Sequence, residues 1–146
     1  YCGRLDKYSE GLLIMTNDGD IINRMMKASQ FHEKEYLVRV DKKVTKGFLR
    51  QLSEGVYLEE LDETTRPCKC METEEPYEFR IILTQGLNRQ IRRMCEALGF
   101  RVRFLKRLRI MNIKLGNLKS GKYRPLRDDE LRELKKQLYN RSGKRP

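Results

Sequence analysis

Residues 3–12, GRLDKYSEGL, set one carboxylate, Asp6, between two cations, Arg4 and Lys7. Cations that close favour the ionised form of an acid at neutral pH. An ionised carboxylate so placed can be a nucleophile, a base or half of a structural ion pair. The four residues alone do not choose among the three. Gly3 and Gly11 bracket the segment, so the chain is expected to turn sharply there. Ser9 and Gly11 leave no bulky side chain over that turn.

Two further stretches carry groups able to act on a substrate. Residues 33–36, EKEY, put Tyr36 at the head of an otherwise apolar strand. Residues 86–94, GLNRQIRRM, put Arg89, Arg92 and Arg93 at the opening of a helix, where the backbone already favours anions. Arg89 and Arg93 are four apart and share a face, while Arg92 follows Arg89 by three. Such a helix is suited to phosphates or to a carboxylate, and a merely solvated cationic face is the plainer alternative. His32 is the only histidine, and no cluster has metal-ligand spacing. Cys68 and Cys70 are one residue too close for a zinc-knuckle arm, and no second pair answers them.

The composition points the same way. The chain has 146 residues, which suits one compact domain with a real core. Lys plus Arg outnumber Asp plus Glu by 32 to 21, for a formal charge of +11 and a pI near 9.7. That balance implies an anionic partner, with nucleic acid the leading candidate. A soluble basic surface would serve as well, but the charge is clustered. Between Arg89 and Arg109 stand eight Lys or Arg residues, among them Arg101, Arg103, Lys106 and Arg107, against a single acid, Glu96. Arginine dominates this stretch, and its planar fork matches phosphate better than an ammonium does. The four cysteines have no framework spacing, and no leader or membrane span is visible. A reducing compartment, the cytoplasm, is expected.

The elements that must hold these groups can be read from periodicity. Residues 12–15, LLIM, read as a buried strand and 16–19 as a turn. Residues 20–27 follow as a helix with Ile21, Ile22, Met25 and Met26 on one face. Residues 35–41 alternate as a strand. Thr45 can cap a helix striped by Phe48, Leu49 and Leu52 and stopped by Gly55. Residues 56–65 are acidic and weakly patterned, a loop or edge strand, and the acidic run 59–63 is long. Strands are expected over 68–73 and 77–83. Asn88 is a plausible cap for a helix carrying Ile91, Met94, Cys95 and Leu98 and closed by Gly99. A strand over 100–104 and another over 111–115 follow. Asp128 caps a last helix with Leu131, Leu134 and Leu138 inside. The order gives an α/β (α+β) fold, with a mixed, mostly antiparallel sheet flanked by helices. One domain is expected over 1–139, with a polar, frayed tail over 140–146.

Residues 3–20, GRLDKYSEGLLIMTNDGD, resemble the signature of the RsuA/RluB/RluE/RluF group of RNA pseudouridine synthases. HEKEYLV, GLNRQIRRMCEALG and RLRIMNI are most similar to its RluF branch, which acts on large-subunit ribosomal RNA. The resemblance runs from about residue 3 to residue 134, and its motifs come in the family's order. It implies the pseudouridine synthase catalytic fold and isomerisation of uridine to pseudouridine in RNA, most of all 23S ribosomal RNA, with transfer RNA as a second candidate. It implies no metal and no organic cofactor.

By the same resemblance Asp6 is the nucleophile, adding to the sugar or to the base ring. Tyr36 is the tyrosine that packs on the target base. Arg92 is the basic partner of the aspartate, a part that Arg89 or Arg93 could take instead. Leu105 matches an apolar residue lining the pocket. Arg4 would serve the RNA strand where a base has been extracted from its stack. Leu5, Lys7, Gln90, Arg101, Arg103, Arg107 and Arg109 complete the expected RNA-contacting set. Alternation along one strand would send several of the last four to one outer surface. Family members usually begin with an S4-type RNA-binding domain and a first strand, and the chain is expected to lack both. A monomer is expected, with no membrane partner. The competing class is a non-catalytic RNA-binding or RNA-chaperone module, which would need the basic helix but not Asp6 with Tyr36. An enzyme acting on free uridine nucleotides fits poorly with so large a basic surface.

Overall fold

The computed structural model describes residues 5–28 and 31–139. Arg4, Cys2 and the tail expected over 140–146 lie outside them. The elements in chain order are β1 (Glu10–Gly11), α1 (Gly19–Ala28), β2 (Lys34–Val40), α2 (Lys46–Glu54), β3 (Tyr57–Leu58), β4 (Glu63–Thr64), β5 (Lys69–Glu72), β6 (Glu78–Leu83), α3 (Gln90–Ala97), β7 (Val102–Ile110), β8 (Ile113–Lys114) and α4 (Asp128–Tyr139). The main sheet has the order β1-β7-β2-β6-β5, with β8 added to β7. Strand β1 runs parallel to β7, and the other pairings in this sheet are antiparallel. The fold is therefore α+β on a mixed, mostly antiparallel sheet.

One face of the sheet is apolar because alternate residues of β2, β6 and β7 point the same way. Val38, Val40, Phe79, Ile81 and Leu105 are buried there. Helices α2 and α3 cover them with Phe48, Leu49, Leu52, Met94 and Cys95. Thr45 caps α2, its hydroxyl accepting from the Phe48 amide at 3.1 Å. The opposite face is polar and tied by ion pairs, Arg39 to Glu78 at 2.9 Å and Arg80 to Glu35. A second core joins α1, α4 and the end of β7 through Ile21, Met25, Ile110, Ile113, Leu134 and Leu138. The segment around Asp6 leads into β1 at the edge of the main sheet, beside β7.

Several expectations change in detail. Residues 12–15 are not a buried strand: Leu12 and Ile14 are buried while Leu13 and Met15 are exposed, and the ladder stops at Gly11. Only alternate side chains of this run find a core. The acidic run at 59–63 turns a small hairpin, β3 against β4, around a 3-10 turn at Glu59–Leu61. The strand expected over 100–104 is longer, and β7 takes in residues to Ile110. Asn88 does not cap α3. Arg89 stands at that position in a left-handed conformation, φ 50°, with no side-chain cap. Asp128 lies inside α4, and Glu130 reaches back instead to accept from the Arg127 amide at 2.8 Å.

Candidate active site

The segment carrying Asp6 turns at once, the Ser9 amide donating to the Asp6 carbonyl at 3.0 Å. It is then fastened to β7. Gly11 pairs with Arg107, and the Leu12 amide donates to the Arg107 carbonyl at 2.9 Å. The Arg107 Nε donates to the Leu12 carbonyl, also at 2.9 Å. Gly11 has φ +118°, and a Cβ placed on it would stand 2.3 Å from the Arg107 carbonyl oxygen. No other residue type permits that approach without moving backbone.

From the other side the loop 85–89 and the start of α3 close over the sheet. Gln85 and Gln90 are both buried and hold this loop. The Gln85 Oε1 accepts from the Arg66 amide at 2.9 Å and from Gln90 Nε2 at 3.3 Å. The Gln90 Oε1 accepts from the Leu87 amide at 3.1 Å. Arg92 then projects from the first turn of α3 towards the aspartate. Its Nη2 donates to the Tyr8 carbonyl at 2.9 Å and to Ser9 Oγ at 3.4 Å. Its Nε faces Asp6 Oδ2 at 3.6 Å, an ion pair longer than a hydrogen bond. That Nε is buried and makes no hydrogen bond among the described residues. The Arg92 side chain is 11% exposed and that of Asp6 30%. One guanidinium thus fixes the aspartate loop and stands beside its carboxylate.

These elements enclose a cavity of about 580 Å³. Its floor is the apolar face of the sheet where β2, β6 and β7 run side by side. Lys34 and Tyr36 come from β2, Leu83 from β6, and Leu105 and Arg107 from β7. Tyr36 and Arg107 are register partners, so their side chains stand together. Leu5, Asp6 and Lys7 form one wall, and Arg89, Gln90 and Arg92 the other. Burial pulls the Lys34 ammonium down to about 8, with the neighbouring charges of Arg107 and Arg66 adding to it. Its Nζ donates to the Thr84 carbonyl at 3.4 Å. Among the described residues no group of three His, Cys, Asp or Glu could hold a metal ion. Burial pushes the Cys95 thiol up to about 12, which leaves it inert as a nucleophile.

The structure thus brings Asp6, Tyr36, Arg92, Leu5, Lys7, Arg89, Gln90 and Leu105 to one cavity. It separates the arginines of β7. Between the partners of Glu35 and Tyr36 the register slips, Glu35 facing Arg109 and Tyr36 facing Arg107, so β7 carries one extra residue. Such a bulge breaks the alternation that a regular strand would keep. Arg107 turns into the cavity floor and is 2% exposed. Arg109 turns to the opposite face and binds Glu35 at 3.1 Å, Glu33 at 3.1 Å and the Met111 carbonyl at 2.8 Å. Arg107 is therefore buried and Arg109 half-buried in its ion pairs, whereas Arg101 and Arg103 are exposed. Arg93 points away from the cavity, bound to Asn88 Oδ1 at 2.8 Å and paired with Glu60 at 3.8 Å. Lys34 was legible in principle, two residues before Tyr36 and on the same strand face. Arg107 was expected as an RNA contact but not on the cavity floor, and Gln85 was not expected at all, since a bulge and a buried amide pair leave no periodic trace.

The sequence model of the family described as RNA pseudouridylate synthase matches residues 1–97. The dual-specificity RNA pseudouridine synthase RluF of Escherichia coli (strain K12) is 51% identical over 141 residues, which are 97% of this chain and 48% of that one. The ribosomal large subunit pseudouridine synthase B of Bacillus subtilis (strain 168) is 35% identical over 136 residues, 91% of this chain and 56% of that one. The crystal structure of a pseudouridylate synthase superposes with a TM-score of 0.84 at 33% identity, over 90% of this chain and 57% of the other. The chain spans about half the length of the curated relatives it matches.

Proposed function

Because the chain belongs to the RNA pseudouridylate synthase family, we propose that it converts uridine to pseudouridine within RNA. The observation that carries this reading is the meeting of Asp6, Arg92 and Tyr36 in one cavity with a mixed apolar and cationic lining. Asp6 is the nucleophile and Arg92 its positioning partner. Tyr36 packs on the ring, and Leu105 lines the pocket beside it. Asp6 attacks the ribose carbon or the ring, the bond from nitrogen to ribose breaks, and the base returns through carbon. Nothing is oxidised or reduced, so the reaction calls for no cofactor.

Ribosomal RNA is the proposed substrate, supported by the name of the Bacillus subtilis relative. Transfer RNA is a second candidate. Exposed Arg89, Arg101 and Arg103 and the rim residue Lys7 are proposed to contact phosphates. Action as a monomer on RNA in the cytoplasm completes the proposed reading.

The test is to incubate the protein with 23S ribosomal RNA and, separately, with transfer RNA, and to map pseudouridine by carbodiimide-blocked primer extension. New stops at defined uridines are expected with ribosomal RNA. RNA that is bound without any new pseudouridine would favour the non-catalytic module instead.

A further inference from the structure

The two buried amides of the cavity form a relay whose direction is fixed at both ends. The Leu87 amide donates to Gln90 Oε1 at 3.1 Å. Gln90 therefore turns Nε2 towards Gln85, whose Oε1 accepts from it at 3.3 Å and from the Arg66 amide at 2.9 Å. Backbone N–H groups only donate, so reversing either side chain would set a donor against a donor. Gln85 Nε2 is what the relay leaves over. It makes no hydrogen bond among the described residues, and it belongs to a residue that is 5% exposed and lines the cavity. Water, or a ligand atom that displaces it, must supply the acceptor there.

Uracil carries an acceptor at the matching end. The ring joins ribose through N1, and the atom directly across it from that bond is O4. Asp6 is half-buried on one wall, and Gln85 is buried on the loop that closes the cavity from the other side. A uridine whose ribose end faces Asp6 therefore carries O4 towards Gln85. Cytosine has an amino group in that place and would meet the amide donor with another donor. Isomerisation keeps the match. The bond between C1′ and N1 breaks with its electron pair on the ring, the ring turns over about the line through N3 and C6, and C5 bonds to C1′. C5 then loses its proton to water and N1 takes one up. The half-turn exchanges N1 with C5 and O4 with O2. The atom across from the new bond is again a carbonyl oxygen, so one donor serves substrate and product.

We infer that Gln85 determines specificity for uridine, its Nε2 donating a hydrogen bond to O4 of the uracil ring and, once the ring has turned, to O2. This rests on the pseudouridine synthase reading. Gln85 transfers no proton and forms no bond to the substrate. Its amide is held in the reading orientation before any base arrives, because Gln90 and the Arg66 amide occupy its oxygen. A site built to donate at this point rejects a base that cannot accept there.

The test uses two sets of 23S ribosomal RNA transcripts. In one, a small fraction of the uridine is tritiated at C5. In the other, the same fraction is 4-thiouridine tritiated at C5, whose sulfur accepts a hydrogen bond poorly. The remaining uridine is unlabelled, so the bases compete, and relative tritium release gives the ratio of their kcat/KM values. Wild type should prefer uridine by about three- to tenfold. Gln85→Glu keeps an oxygen for Gln90 and the Arg66 amide but offers a carboxylate in place of the N–H, and Gln85→Met removes both groups. In each variant the preference should shrink to less than about twofold. The ratio does not depend on how much of a variant is folded, and a residue that only held the loop would leave it unchanged. A wild type without the preference, or a variant that keeps it, overturns the inference alone. So does a Gln85→Glu protein that melts like the wild type and releases no tritium from uridine, a loss too large for one hydrogen bond. Tritium release from uridine absent in the wild type overturns the pseudouridine synthase reading and the inference with it.

Discussion

Replacing Arg92 with methionine keeps most of the volume of the buried stem and removes the guanidinium. Three interactions go together: the Asp6 pair at 3.6 Å, the bond to the Tyr8 carbonyl at 2.9 Å and the bond to Ser9 Oγ at 3.4 Å. At that separation the pair is worth about 5 kcal/mol with an effective dielectric constant near 20, before the cost of desolvating both ions. Asp6 is 30% exposed, so water recovers part of the loss when its partner is gone. A net cost of about 3 kcal/mol is the expected outcome, equivalent to a fall of about 10 °C in Tm for a domain of this size. The rate should suffer on its own account, because the aspartate loop loses its anchor. Losing a preorganised charged partner commonly lowers the rate by about a hundred- to a thousandfold. Arg92→Lys restores the charge without the fork and should recover only part of either loss. Pseudouridine formation at saturating RNA and RNA binding by fluorescence anisotropy, measured side by side, separate the effects. If Arg92→Met weakened binding and left the saturated rate untouched, Arg92 would belong to the phosphate-binding surface, and the partner of Asp6 would have to be sought elsewhere in the cavity.

Gly11→Ala should destabilise the protein by more than about 2 kcal/mol and cut activity with it, since the added Cβ would stand 2.3 Å from a backbone oxygen of β7 at φ +118°; an alanine variant with wild-type Tm would contradict the close approach of β1 to β7. Tyr36→Phe keeps the ring and Tyr36→Ala removes it, so stacking alone requires the first to stay active and the second to fail in a turnover assay, while a fully active alanine variant removes Tyr36 from the site. The Glu130 carboxyl is held down to about 2 from an ordinary 4.5, by the bidentate Arg124 first and the Arg127 amide next. Its contribution is therefore complete above pH 4.5 and disappears as pH falls towards 2. Thermal melts should show Glu130→Gln less stable than wild type at pH 7, with the gap closing over that acid window.

What could be read from sequence was set by period and by local chemistry. The stripe of Phe48, Leu49 and Leu52 between Thr45 and Gly55 needs only helical spacing and its two caps, and α2 forms as read. The motif residues Asp6, Tyr36 and Arg92 sit on three separate elements, and only their types and order pointed to a shared site. Where the reading failed, non-local geometry decided. The bulge in β7 turns Arg107 inward and Arg109 outward, although the two are a regular two residues apart. The run at residues 12–15 is apolar throughout, yet only Leu12 and Ile14 face a core, because the ladder with β7 ends one residue earlier. Asn88, a good cap by type, is used instead to accept from Arg93, and Glu130 rather than Asp128 caps α4. Each outcome depends on a partner far away in the chain or on a competing hydrogen bond, and neither leaves a periodic trace.

The central claim is that Asp6 attacks the substrate. Asp6→Asn keeps the side chain's size and one acceptor oxygen but removes the charge that faces Arg92. Pseudouridine formed from 23S ribosomal RNA by equal amounts of wild type and Asp6→Asn, at saturating RNA and with both proteins shown folded and RNA-bound, is the quantity to measure. The expected result is product from the wild type and none above background from the asparagine variant. Product from Asp6→Asn at a rate near that of the wild type would mean that the aspartate is only a structural partner of Arg92 and that the chemistry lies with another group.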